Sequence, residues 1–156
     1  MADLGVANKF LTMKTQKKLF VTKTALTLWR LGNSSGPRMS HLRLPPRPAG
    51  KEPDIIPISE CVNGTFVQFV LPNSGGVSLY DAIHPGLNGD TWYELPAGTE
   101  IPFGLAIQEN DKDPQFDVVH YTAMPASKMT LAAFIDLLDL FGKRAEARFE
   151  RKSTKA

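Results

Sequence analysis

Three side chains far apart in the chain have types suited to chemistry and stand in short, strand-like settings: His120, Ser78 and Arg30. His120 lies within Gln-Phe-Asp-Val-Val-His-Tyr-Thr-Ala-Met-Pro, residues 115–125. At period two, Phe116, Val118, His120 and Thr122 share one face, and Asp117, Val119 and Tyr121 the other. Both faces carry large apolar residues, which predicts a central strand covered on both sides. An imidazole there either packs as a satisfied core residue or looks into a cleft. Arg30 falls near the end of Ala-Leu-Thr-Leu-Trp-Arg-Leu, residues 25–31, in line with Leu26 and Leu28. An unpaired guanidinium among core leucines is costly. It calls for an anionic partner, a carboxylate or a ligand phosphate, unless it snorkels at a strand end. Ser78 follows Gly75, Gly76 and Val77. Paired glycines let a backbone pass close to a ligand or to another strand. The serine hydroxyl itself suits the N-cap of a short helix through Ile83, closed near Pro85 and Gly86.

The elements that must position these groups belong to a chain of 156 residues, long enough for one buried core without staples. Cys61 is the one cysteine, so no internal disulfide or cysteine-based metal site is expected. The histidines, His41, His84 and His120, lack zinc-ligand spacing. No apolar run approaches a membrane span, and no continuous apolar stretch near Met1 suggests a secretory signal. The net charge of +2 hides a split. Residues 1–51 hold ten Lys and Arg against Asp3, whereas residues 52–156 hold eight against fifteen acids. A basic, acid-free arm suits nucleic acid, an anionic membrane, an organelle presequence or an acidic partner, or is simply solvated.

We divide the chain into a basic extension, residues 1–24, and a single domain, residues 25–152. Residues 32–57 hold six prolines (Pro37, Pro45, Pro46, Pro48, Pro53 and Pro57) and predict a long irregular connection. Its Arg38, Arg43, Arg47 and Lys51, together with Arg30, would form a wall attractive to phosphates. Strands are predicted at residues 65–70, 91–95 and 105–108, with a charged loop at 109–114. From about Lys128, Leu131, Phe134, Ile135, Leu138, Phe141 and Ala145 recur at helical spacing. Ser127 or Thr130 caps that helix, and Arg144, Arg148, Arg151 and Lys152 suit its C-terminal dipole. Many short strands with few helices give an α+β class with a curved or split antiparallel sheet and a C-terminal helix.

Four stretches resemble the pseudomonad type VI secretion exported effectors of the "Tse-two" toxin family. His-Tyr-Thr-Ala-Met-Pro-Ala-Ser-Lys-Met at 120–129 matches the family's His-Tyr-Thr, a variable residue, Met-Pro-Ala and a further Met. Gly-Gly-Val-Ser-Leu-Tyr-Asp at 75–81 is followed by Leu-Pro-Ala-Gly-Thr-Glu-Ile-Pro at 95–102, similar to the family's Pro-x-Gly-Thr-x-Ile-Pro. Leu-Thr-Leu-Trp-Arg at 26–30 resembles Leu-Thr-Leu-Tyr-Arg, and Pro53-Asp54-Ile55 is a weaker fourth. The resemblance implies an ADP-ribosyltransferase-like fold and a cytotoxic effector that uses NAD as substrate. It also implies a cognate immunity protein, in the cytoplasm of the producer or of a target cell. It places the catalytic set on His120, Ser78 and Arg30, and the cofactor-binding set on Arg30, Ser78, Gly76, Lys51 and Tyr80. Enzymes of this fold often use a glutamate near the reacting ribose; Glu94 and Glu109 are the strand-side choices. Two positions depart from the family: Val77 replaces a threonine, and Lys51 an arginine able to make a bidentate phosphate contact. Two alternatives stand beside this reading. One is a catalytically silent module of the same fold whose basic N-terminal region holds nucleic acid or an acidic partner. The other is an enzyme resembling RNA 2′-phosphotransferases.

Overall fold

The computed structural model describes residues 18–46, 52–89, 91–145 and 150–153. Five strands come first, with the long irregular connection between the second and third: β1 (Leu19–Phe20), β2 (Leu28–Leu31), β3 (Ile58–Val62), β4 (Thr65–Val70) and β5 (Val77–Tyr80). They are followed by β6 (Thr91–Leu95), β7 (Leu105–Asp113), β8 (Val118–Pro125), β9 (Met129–Thr130), helix α1 (Leu131–Ala145) and β10 (Glu150–Ser153). All pairings are antiparallel, in a seven-stranded sheet ordered β1-β7-β8-β5-β2-β6-β10 and a three-stranded sheet ordered β3-β4-β9. This is the α+β architecture of split antiparallel sheets with a C-terminal helix.

The core forms where the apolar face of the large sheet meets α1. Val77 and Leu79 from β5, Tyr121 and Ala123 from β8, and Leu28 and Leu95 from β2 and β6 are buried with Phe134, Leu138 and Phe141 of the helix. Thr130 is the N-cap: its Oγ1 accepts the Ala133 N–H at 3.1 Å. The helix ends at Ala145 with Lys143 and Arg144 in its last turn. Arg151 and Lys152 lie beyond it, on β10, opposite Tyr93 and Trp92 of β6. The Pro-Ala-Gly-Thr turn after β6 is closed onto Thr24, whose carbonyl accepts the Gly98 N–H at 2.7 Å and whose hydroxyl donates to Pro96 O at 3.1 Å. Part of the stretch assigned to the basic extension therefore belongs to the fold: Leu19 pairs with Gln108, and Lys23 bridges to Glu100. Residues 1–17 and Lys51 lie outside the described residues.

Three local expectations are overturned. Ser78 caps no helix; residues 77–80 are a strand whose Val77 and Leu79 are buried and whose Ser78 and Tyr80 face the other way. Pairing to β8 and two buried apolar side chains at period two outweigh a local capping preference. The acidic segment read as a loop continues β7 to Asp113, because β8 supplies a partner along its whole length. The ladder shifts between Glu109 and Lys112, so Asn110 and Asp111 together stand opposite His120. Finally, β8 is central, between β7 and β5, yet only its Tyr121 face joins the core cluster; His120 borders an open cavity.

The glycine pair makes its close approach to other strands. Gly76 donates its N–H to Asp54 O at 2.9 Å. A Cβ on Gly76 would stand 2.0 Å from Ala123 O, and one on Gly75 2.1 Å from Asp54 O. Gly76→Ala must push β5 off β8, which predicts a loss of about 3 kcal/mol, the upper range for overpacking. Urea denaturation checks this; an unchanged midpoint contradicts the close packing described.

Candidate functional site

β2 and β5 meet at one register pair, Trp29 opposite Tyr80. Beside it the strands are bridged by a side chain instead of a ladder. Arg30 donates through Nη1 to Ser78 O at 3.1 Å, through Nε to Pro37 O at 3.1 Å and through Nη2 to Arg38 O at 3.2 Å. Among the described residues the core-facing guanidinium has no carboxylate in direct contact. Three backbone carbonyl dipoles satisfy it, available because the strands diverge. Burial lowers its pKa, while the nearby charge of Asp54 opposes that shift.

The bonds from Arg30 fix one wall of a cleft. A cavity of about 450 Å³ is lined by Arg30, Arg38, His41, Arg43, Asp54, Ser78 and Tyr80, among others. A second, of about 520 Å³, is lined by Ser78, Tyr80, His84, Asp111, Asp113 and His120 with their neighbours. Ser78 and Tyr80 border both, so the two are compartments of one cleft, each in the size range of ligand sites. The expected phosphate wall is only partly free. Arg43 is held by Asp54, through Nη2 at 2.8 Å and Nε at 3.1 Å, both to Oδ1. Asp54 in turn accepts the Arg43 N–H at 2.7 Å. Arg38, whose φ of 55° turns the backbone sharply, is exposed in the wall of the first compartment.

In the second compartment, His120 Nε2 and Ser78 Oγ are 2.9 Å apart, across the β5–β8 ladder. Burial lowers the His120 pKa, with Asp111 pulling weakly the other way, so the ring is neutral near pH 7. Tyr80 packs beside it with ring centroids 5.3 Å apart. The structure therefore brings His120, Ser78, Tyr80 and Arg30 to one cleft. Gly76 lines neither compartment; its amide is taken by Asp54 O. The two glutamates considered from sequence also lie elsewhere. Glu109 pairs with Tyr121, on the opposite face from His120, where burial and Glu109 push the Tyr121 phenol up to about 12. Glu94 stands opposite Trp29, on the far side of β2 from β5. The carboxylates in the His120 compartment are instead Asp111 and Asp113. They were invisible in sequence because the shift in β7 decides which way they face.

A family model described as the Tse2 ADP-ribosyltransferase toxin matches residues 26–149. The chain belongs to that family. Toxin Tse2 of Pseudomonas aeruginosa is 31% identical over 77 residues, a segment covering 49% of this chain and 49% of that protein. The chain thus matches about half the length of that curated relative. The Tse2 family span includes both compartments, begins just before β2 and leaves Leu19 to Ala25 outside it. The two-sheet architecture is accordingly an ADP-ribosyltransferase-like fold.

Two outcomes test this geometry. Arg30→Ala orphans three carbonyls and is expected to cost about 3 kcal/mol, with Arg30→Lys recovering less than half, since one ammonium cannot span the three acceptors. Chemical denaturation measures both. For His120, the folded pKa lies below the unfolded value of about 6.5, so the unfolded chain binds the proton more readily. Its contribution to stability is complete above that value and fades as pH falls through the folded pKa. His120→Gln should flatten the decline in denaturation midpoint between about pH 7.5 and pH 5.

Proposed function

We propose that the protein is an NAD-dependent toxin of ADP-ribosyltransferase type, binding NAD in the cleft and cleaving its nicotinamide–ribose bond. The observation that carries this reading is the 2.9 Å contact between a half-buried imidazole and Ser78, in a cleft whose other compartment is rich in cations. Family membership supplies the reaction class. The charge pattern suits a bent dinucleotide: phosphates toward Arg38, His41 and Arg43, and the cationic nicotinamide end toward Asp111 and Asp113.

Departure of nicotinamide leaves positive charge on the ribose in an oxocarbenium-like state, and the leaving group departs neutral. No proton need be delivered to it. The protein's task is to hold the ribose and to offer negative potential beside its anomeric carbon. Ser78 and His120 hydrogen-bond the ribose hydroxyls, His120 doing so as a neutral ring that can accept. Arg30 sits behind the phosphate compartment as a fixed, desolvated cation, and Arg38 makes the direct contact. Gly76 supports this set through the β5–β8 approach. Asp111 stabilises the developing positive charge. As a member of a toxin family, the protein is neutralised in its producer by a cognate immunity protein and acts in a target-cell cytoplasm. Among the described residues no helix is long and apolar enough to cross a membrane.

Induction in a naive host should arrest growth with the wild-type chain, and His120→Ala and Ser78→Ala should lower toxicity by about 100-fold or more while remaining folded. A cooperatively melting His120→Ala protein that stays fully toxic removes the role assigned to the imidazole. Incubation with labelled NAD, total protein and total RNA then decides the chemistry: release of nicotinamide supports the proposal. Transfer of an RNA 2′-phosphate to NAD, or no NAD dependence in any assay, replaces it with one of the two alternatives.

A further inference from the structure

A second histidine and a carboxylate border the His120 compartment and have no place in the scheme above: His84 and Asp113. His84 is buried, with 8% of its surface exposed. Both ring nitrogens are engaged. Nδ1 accepts the Gly86 N–H at 3.0 Å, which places the ring proton on Nε2, and Nε2 lies 3.1 Å from Asp113 Oδ2. With no lone pair to offer, His84 is not the base of a second catalytic pair. It is a rigid, neutral plate with one tautomer.

The partner on each side of this plate is fixed as well. Asp113 Oδ1 accepts the N–H groups of Gln115 at 2.9 Å and Phe116 at 3.4 Å, which ties the carboxylate to the turn joining β7 to β8. The Phe116 ring lies 5.1 Å from the His84 ring. Gly86 lets the loop close over both, since a Cβ there would stand 2.6 Å from Phe116 Cε2 and 2.9 Å from His84 Cε1. On the other side, Tyr80 meets His84 edge-on at 5.6 Å and an interplanar angle of 79°, and meets Trp92 in the same manner at 5.8 Å and 76°. A third ring contact is with His120, at 5.3 Å and 43°. The His120 ring is therefore held between the Ser78 hydroxyl and a tyrosine that packs edge-on against both His84 and Trp92.

We propose that His84 and Asp113 are a positioning pair that fixes the Tyr80 ring and, through it, the orientation and tautomer of His120. This rests on the active-site reading above, but its central measurement does not. His84→Phe preserves an aromatic plate of similar size and removes both hydrogen bonds. His84→Gln retains a side-chain N–H able to reach Asp113. The test is nitrogen–proton NMR of the ring-labelled full-length protein, read at His120, with toxicity on induction scored in parallel. In the wild type, His120 should show one dominant tautomer. His84→Phe should mix the tautomers and move the His120 titration midpoint by about 0.5 pH unit or more, with toxicity lowered about tenfold or more. His84→Gln should restore most of both. A folded His84→Phe protein with His120 signals and midpoint unchanged overturns the proposal. If that variant does not fold, Asp113→Asn is read in the same way, and an unaltered His120 spectrum there is equally fatal. Loss of the catalytic reading would look different: His120→Ala stays toxic while the spectral coupling of His120 to His84 persists.

Discussion

The divergence of β2 from β5, and the guanidinium that fills it, set the terms for the rest of the molecule. Antiparallel neighbours that separate after one register pair expose carbonyls with no ladder partner, and buried carbonyls without donors are costly. A planar cation with five N–H groups fits that situation. Arg30 joins Ser78 O to Pro37 O and Arg38 O, so the same contacts that mend the sheet also hold the loop that walls the cleft. Tyr93 adds a second tether, its hydroxyl donating to Asn33 O at 2.8 Å. A wall fixed by the fold itself has little ordering left to do when a ligand arrives.

Charge then divides the cleft. On the loop side the lining is mostly cationic, with Asp54 restraining Arg43; on the β7–β8 side it is mostly acidic, around a neutral imidazole. The acids sit among residues that already bind them. Asp113 is held by His84 Nε2 at 3.1 Å and by the Gln115 N–H at 2.9 Å, and Lys112 on the same lining pairs with Asp117. The field at His120 is thus built from anchored groups, the arrangement in which electrostatics act with least reorganisation.

Much of this was legible in the sequence where pattern and burial coincide. The strands at 91–95 and 65–70 follow from their β-branched and aromatic composition between turn residues, β6 being buried on both faces and β4 only at its end, and α1 follows from the 3.6-residue spacing of the stripe it buries. The family motifs drew attention to Arg30, Ser78, Tyr80 and His120, which line the cleft. Elements whose identity depends on distant partners were not legible. Residues 77–80 read locally as a capped helix and become a strand through β8; residues 109–113 read as loop and become strand for the same reason. Nothing in Ile58–Val62 or Glu150–Ser153 alone announces pairing with β4 or β6. The three carbonyl partners of Arg30 were not legible because sequence shows side chains, not unpaired carbonyls. His84 and Asp113, 29 positions apart, meet only after β7 and β5 are brought to either side of β8.

The irregular step in β7 gives residue count a chemical meaning. Because two residues answer to His120 there, Lys112 pairs with Val119 and Asp113 with Val118, which lies on the His120 side of β8. An unbroken ladder with the same residues would leave Asp113 in line with Glu109 at period two, on the core side of the sheet; the extra residue taken up in the step returns it to the His120 side. The acidic lining is thus encoded as much by spacing as by composition. Exchange of side chains in this hairpin and loss of a residue at the step are different events: the first adjusts the charge facing the cleft, the second regularises the ladder and leaves one side chain, not two, opposite His120.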